Sequence, residues 1–372
     1  MPRKPRKPDN ENFRANLLVQ QIRRQGRAGR LELARRFHIS NSRVCDLIQD
    51  RLDRGLLIEE LGGPERRGRR GVPVMLNPKY GHIVGFDMEA KRLRMVAVDF
   101  AGKVVWQSQQ RLQPATSRPA LIDAILRFVD RGLTEIRPRC RNLVGMGIAA
   151  NGIVDVRHGV VLHYDLVPVA RDLPLRELIA SRTGLTCCME DNIRALTLAE
   201  WMSGAAQHLD SFVCVAVRSG IGAGIVINNQ LYTGSHGFGG EVGYMPIARG
   251  SSVGQWKHLQ HVVSEHALGV DVEAADFKLP EGRARRAGEL LGAQLAGVAS
   301  LLDPDAMVLA GGLVQPDRPL WGPMVSTFRR LVLPELVERV QLLPAQLGPF
   351  AAAVGATHRC FQMLFPVEPD AR

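Results

Sequence analysis

The sequence predicts an α/β protein in two parts, an N-terminal winged helix-turn-helix followed by a duplicated α/β body with a cleft between its halves. Three observations predict this: a one-sided charge distribution, two short helical patterns around a tight turn, and a strand-turn-strand unit used twice. Residues 1–80 hold 19 Lys and Arg against 9 Asp and Glu, whereas the rest of the chain holds 29 against 28. The net +10 of the first segment points to a polyanion partner, and the nearly neutral remainder to a globular body. With 372 residues and 45% hydrophobic composition the chain can bury a sizeable core, which excludes a wholly disordered protein.

Residues 12–25, NFRANLLVQQIRRQ, carry apolar side chains at Phe13, Leu17, Leu18 and Ile22, which is helical spacing, and Gly26 ends the helix. Residues 31–52 fit two short helices around a turn. Ala34 supplies the small residue at the helix crossing, and Val44, Leu47 and Ile48 supply the inner face of the second helix. His38 stands in the turn where glycine is usual, and histidine is among the non-glycine residues that tolerate positive φ. Ser40 is placed to N-cap the second helix. The candidate base-reading residues are Ser40, Asn41, Ser42, Arg43 and Gln49, with Cys45 and Asp46 beside them. Strands at 57–60 and 72–76 flank GGPERRGRRG, a wing whose Arg66, Arg67, Arg69 and Arg70 suit phosphates or a narrow minor groove. The partner so predicted is a double-stranded DNA operator.

In the body, strands are expected at 82–88, 93–100 and 103–107. The pattern returns at 212–217, 225–227 and 231–232 around a glycine-rich turn at 219–224. Helices are expected at 118–136, 173–183, 193–204, 283–302 and 351–364, and buried strands at 143–150 and 306–309. Two such units imply a duplicated domain. The six cysteines include no CxxC pair, so neither a disulfide framework nor a thiolate zinc site is expected, and Cys187-Cys188 reads as part of a buried strand. A basic start with no apolar run behind it and no long apolar stretch predict a soluble cytoplasmic protein without a membrane span.

Behind the winged module stand GMGIAANGIVD at 145–155, SGIGAGIVINNQLYTGSHGFGGEVGYMPI at 219–247, LLDPDAMVLAGGLV at 301–314 and AAAVGAT at 351–357. Together they resemble the ROK family of repressors and sugar kinases over nearly the whole chain, most specifically in GFGGEVG. The resemblance implies an actin-like, two-lobed sugar-kinase fold, and the winged module marks the repressor branch. The domains expected are a basic tail at 1–10, a DNA-binding domain at 11–78 and a two-lobed sensor and oligomerisation domain at 79–372.

The resemblance also implies where kinase chemistry would sit, and the chain departs from the pattern there. Kinases of the family begin with Asp-x-Gly-Gly-Thr-Lys, whereas Asp87-Met88 is followed by Glu89, a carboxylate set against a polyanion. Asp191-Asn192 stands where the kinases have Asn-Asp, and Asn192 cannot accept a proton as a carboxylate does. Tyr244, Ser251, Val253 and His258 occupy the zinc-ligand positions, and the spacing of His258, His261 and His266 makes no zinc site, so no metal and no cofactor are expected. Glu241 persists where the family uses a glutamate to hold sugar hydroxyls. A sugar or sugar-derivative effector is therefore expected at Asp191, Asn192, Glu241, Tyr244 and Gln260. The chain reads as a non-enzymatic, sequence-specific regulator, a repressor of carbohydrate-related genes, binding a palindromic operator as a homodimer or higher homo-oligomer. The alternative is an ATP-dependent sugar kinase with a vestigial DNA-binding module.

Overall fold

Apolar spacing at the N-terminus yields three helices and a ribbon in the computed structural model, which describes residues 10–60, 72–248, 256–274 and 277–367. Helix α1 (Asn10–Gln25) buries Leu18, Val19 and Ile22. Helices α2 (Arg30–Phe37) and α3 (Asn41–Asp53) bury Leu33, Ala34, Val44, Leu47 and Ile48 in the same core. His38 adopts the left-handed conformation (φ 53°) that closes α2, and the Ser40 Oγ accepts the Arg43 N–H at 3.4 Å to open α3. Strands β1 (Leu57–Glu59) and β2 (Val74–Leu76) pair antiparallel, with Leu57 opposite Leu76. The helix-turn-helix and the base of the wing are thus formed. The four wing arginines and the basic tail lie outside the described residues.

Two five-stranded sheets follow. The first contains β3 (His82–Met88), β4 (Arg92–Asp99), β5 (Val104–Arg111), β6 (Leu143–Ala150) and, after the ribbon of β7 (Ile153–Asp155) and β8 (Val160–His163), β9 (Cys187–Asp191). Its order is β5-β4-β3-β6-β9. The second contains β10 (Phe212–Val217), β11 (Ile221–Ile227), β12 (Gln230–Tyr232), β15 (Ala306–Ala310) and β16 (Gln341–Pro344), in the order β12-β11-β10-β15-β16. Each sheet is an antiparallel meander extended by two parallel strands, which is the signature of duplication. A small ribbon of β13 (Pro246–Ala248) and β14 (Trp256–His258) precedes the short helices α7 (Gln260–Val263) and α8 (Glu265–Leu268).

Helices α4 (Arg118–Ile136) and α5 (Leu175–Thr183) share a core with one face of the first sheet, and α9 (Glu281–Leu302) and α10 (Trp321–Leu331) with one face of the second. Helices α6 (Asn192–Ser203) and α11 (Ala351–Leu364) pack between the sheets. Glycine permits this closeness: a Cβ on Gly355 of α11 would stand 1.6 Å from the Ala195 carbonyl oxygen of α6. The expected glycine-rich turn at 219–224 is corrected by the same principle. Only its first two residues turn, and Gly222 and Gly224 lie within β11, where a Cβ on Gly224 would meet Thr197 of α6 at 2.0 Å. Helix α5 starts after Pro174, two residues later than its apolar pattern suggests. Strand β5 runs on through polar residues to Arg111 because its backbone pairs with β4.

The N-terminal module is docked on α11. Arg23 of α1 is buried, with its guanidinium 3.9 Å from the Phe361 ring centre and 3.3 Å from His358 Nδ1. Its Nε and Nη1 have no hydrogen-bond partner. Around it Arg24 donates to Asn229 at 2.7 Å and Gln20 donates to the Phe365 carbonyl at 2.6 Å. Among the described residues no helix is long and apolar enough to cross a membrane.

At the C-terminal end of α6, Glu200 is fully buried and accepts N–H groups of Ala205 (2.8 Å), Gln346 (3.0 Å) and Leu347 (2.9 Å). One carboxylate thereby ties α6 to the segment that leads into α11. Glu200→Ala leaves three donors without an acceptor and is expected to cost at least about 3 kcal/mol in a urea unfolding titration. An unchanged midpoint would refute the assignment.

Candidate functional site

The lobes meet at a cavity of about 120 Å³. All five residues predicted for the effector, Asp191, Asn192, Glu241, Tyr244 and Gln260, line it. Asp191 is the N-cap of α6, and its Oδ1 accepts the N–H groups of Ile193 and Arg194, each at 3.0 Å. Arg194 in turn donates to Glu190 at 2.7 Å and to the Gly237 carbonyl at 2.8 Å, which fixes the glycine-rich loop carrying Glu241. Asn192 is 1% exposed and its Nδ2 has no partner, leaving an unused donor on a side chain of the cavity wall. Burial pushes the Tyr244 phenol up, with Asp165 adding and a hydrogen bond from Gln260 opposing.

Other lining residues were not among the effector candidates, although His261 and His266 were weighed as metal ligands. Asn151 lies inside the GMGIAANGIVD motif, so its signal was present. His163, Asp165, His261 and His266 come from segments without a distinctive pattern. Tyr164 reaches across the lobes, its hydroxyl 3.2 Å from that of Ser219.

Beside the cavity, arginines and carboxylates from both lobes interlock. Arg218, at the end of β10, pairs with Glu89 at 2.8 Å and approaches Asp87 at 3.6 Å. Arg94 of β4 pairs with Glu89 and with Glu273, and Arg92 holds Asp271 at 2.9 Å and Glu273 at 3.1 Å. Asp87 is fully buried with neither oxygen hydrogen-bonded, and burial pushes it up to about 6 against the pull of Arg218. Burial acts on Glu89 too, but Arg218 and Arg94 outweigh it and hold that carboxyl below its ordinary value. Glu89 therefore does not face the cleft as a free carboxylate. It is the common partner of two arginines.

Of the zinc-ligand positions, Ser251 and Val253 lie outside the described residues. His258 and His261 stack at 5.3 Å between ring centres, and among the described residues no group of three His, Cys, Asp or Glu is arranged to hold a metal. On α3, Ser40, Asn41, Ser42, Asp46 and Gln49 are exposed. Arg43 is half-buried and paired with Glu11 of α1, and Gln49 donates to Asp53 at 2.8 Å. Both side chains must give up these partners to contact a base edge.

Glu241 titrates at about 7, raised first by burial and then by Asp191, with Arg194 opposing. The folded state holds this proton more tightly than the unfolded chain. The resulting penalty is absent below the ordinary value of 4.5 and complete above 7. Glu241→Gln is therefore expected to raise the melting temperature of the ligand-free protein by a few degrees at about pH 8.5 and to leave it unchanged at about pH 4. Equal shifts at both pH values would exclude the cause given.

Comparison with known proteins agrees with this architecture. The ROK family profile matches residues 83–360. The chain is 26% identical over 362 residues to the xylose repressor of Bacillus subtilis, covering 91% of this chain and 92% of that protein. The crystal structure of a ROK family transcriptional regulator, a homologue of the E. coli MLC protein, superposes with a TM-score of 0.78 at 20% identity, covering 96% of this chain and 97% of that one. A ROK family glucokinase from Streptomyces griseus, solved with glucose and AMPPNP, gives a TM-score of 0.64 at 25% identity and covers 75% of this chain and 99% of its own. The fold is accordingly the two-lobed sugar-kinase type with a winged helix at its N-terminus, and the chain belongs to the ROK family.

Proposed function

We propose that this protein is a DNA-binding transcriptional repressor of carbohydrate-related genes, with a body that senses a sugar or sugar derivative and no longer transfers phosphate. The observation that carries the reading is the split character of the cleft. Its polyol side is lined by Asn151, Asp191, Asn192 and the persisting Glu241, whereas the neighbouring side is filled by the ion pairs of Arg92, Arg94 and Arg218. Phosphoryl transfer relies on donors cradling the phosphates and a base near the acceptor hydroxyl. Here the arginines are already neutralised by Glu89, Asp271 and Glu273, Asn192 replaces the base, and Asp191 spends its carboxylate on the helix cap. The similarity to a xylose repressor across 91% of the chain favours the repressor over the kinase.

In this reading residues 11–78 bind the operator, residues 79–372 sense and oligomerise, and a two-fold dimer presents two α3 helices to a palindrome. The exposed Ser40, Asn41, Ser42 and Gln49, with Arg43, face the bases. Arg66, Arg67, Arg69 and Arg70 contact phosphates or the minor groove. The protein acts in the cytoplasm, where its DNA is.

Fluorescence anisotropy with DNA flanking its own gene tests this. Replacing the four wing arginines with alanine is expected to weaken binding and to reduce the slope of log K against log salt by about 0.9 for each phosphate no longer neutralised. An unchanged slope refutes the wing assignment. Incubation with ATP, magnesium and a panel of sugars is expected to release no ADP. Turnover abolished by Asp191→Asn would establish the kinase instead.

A further inference from the structure

A row of aromatic rings leads out of the cavity. Tyr244 and His261 line the cavity wall, and His258 packs against both, with ring centres 5.1 Å from Tyr244 and 5.3 Å from His261. Trp256 precedes His258 by two positions on β14, so both side chains stand on one face of the ribbon, roughly 7 Å apart along the strand. The register gives the row its direction. His258 is opposite Pro246, close in sequence to Tyr244, whereas Trp256 is opposite Ala248, further from the cavity.

Trp256 is 62% exposed and Tyr244 36% exposed. Single exposed aromatics are unremarkable, but here Tyr244, His258 and His261 are in ring contact at the cavity and Trp256 stands one strand step beyond them on the same face. Its chemistry is specific. The C–H face of a sugar ring is apolar with a slight positive charge and matches the negative face of an aromatic ring, while the hydroxyl edge requires hydrogen-bonding partners. The cavity supplies the partners through Asn192, Glu241 and Gln260, and the row supplies the faces.

Building on the effector reading above, we propose that Trp256 and His258 form a second carbohydrate subsite. The effector is then an oligosaccharide of at least two rings, one in the cavity and the next stacked on the row. Neutral glycosides are the class this outer subsite takes, because stacking on the Trp256 face needs no charge on the sugar.

Calorimetric titration of the full chain with three matched pairs tests the assignment: xylose and xylobiose, glucose and cellobiose, N-acetylglucosamine and chitobiose. At least one disaccharide is expected to bind about tenfold more tightly than its monosaccharide. Trp256→Ala, a change at an exposed position, is expected to remove that gain and leave monosaccharide affinity within about twofold, whereas Trp256→Phe retains most of it. Binding of monosaccharides with no gain from the second ring overturns the subsite and leaves the effector reading standing. Binding of neither overturns both. A fall in sedimentation coefficient on Trp256→Ala also overturns the proposal, since the row would then be an interface between copies.

Discussion

Three arginines locked against four carboxylates where the lobes meet decide what the cleft can hold. Arg218 comes from the second lobe and its partners Asp87 and Glu89 from the first; Arg92 and Arg94 come from the first lobe and their partners Asp271 and Glu273 from the second. The inner members, Asp87, Glu89, Arg94 and Arg218, are largely buried and stable only while each keeps its partner, because removing one strands another in a poorly polarisable interior, whereas Arg92, Asp271 and Glu273 are partly exposed. The network therefore fixes the distance between the lobes at this edge. It also surrounds Asp87 with the guanidinium groups of Arg218 and Arg94. Arg92, Arg94 and Arg218 are each engaged by carboxylates of this network.

The helix pair α6 and α11 carries the consequences outward. The first turn of α6 lies in the cavity through the Asp191 cap, and its last turn is tied by Glu200 to residues 346 and 347. Helix α11 lies against α6 at Gly355 and presents His358 and Phe361 to α1 of the N-terminal module. Cavity, central helices and the first helix of the N-terminal module are thus one continuous packed body with no loop intervening where they touch. In such an arrangement a small rotation of α6 cannot be absorbed locally.

Local signals made the N-terminal module legible. Apolar spacing gave the helices, Ser40 the cap, and His38 a turn that accommodates positive φ. Composition misled at 219–224, where glycines that look like a turn are strand residues making room for α6. The five effector candidates were legible through family resemblance and not through any periodicity. Arg92, Arg94 and Arg218 were not, since their partners lie up to about 180 residues away and ion pairing leaves no pattern at that separation. Helix α10 was missed although Met324 and Phe328 stand at helical spacing, and strand β16 was missed because four residues are too few to show a period.

The burial of Arg23 bears on how firmly the module is held. Burial pulls this guanidinium below its ordinary value, its nearest polar neighbour is a histidine kept neutral by the same burial, and two of its nitrogens bond to nothing. Separation from α11 would part the guanidinium from the Phe361 ring but return those donors to water. The joint therefore combines an apolar core shared by α1 and α11 with one buried cation that lacks part of its hydration: leaving the resting pose exposes the first and rehydrates the second. Parting α1 from α11 is therefore offset in part by the rehydration of Arg23, so the contact between module and body costs less to open than its apolar area alone implies.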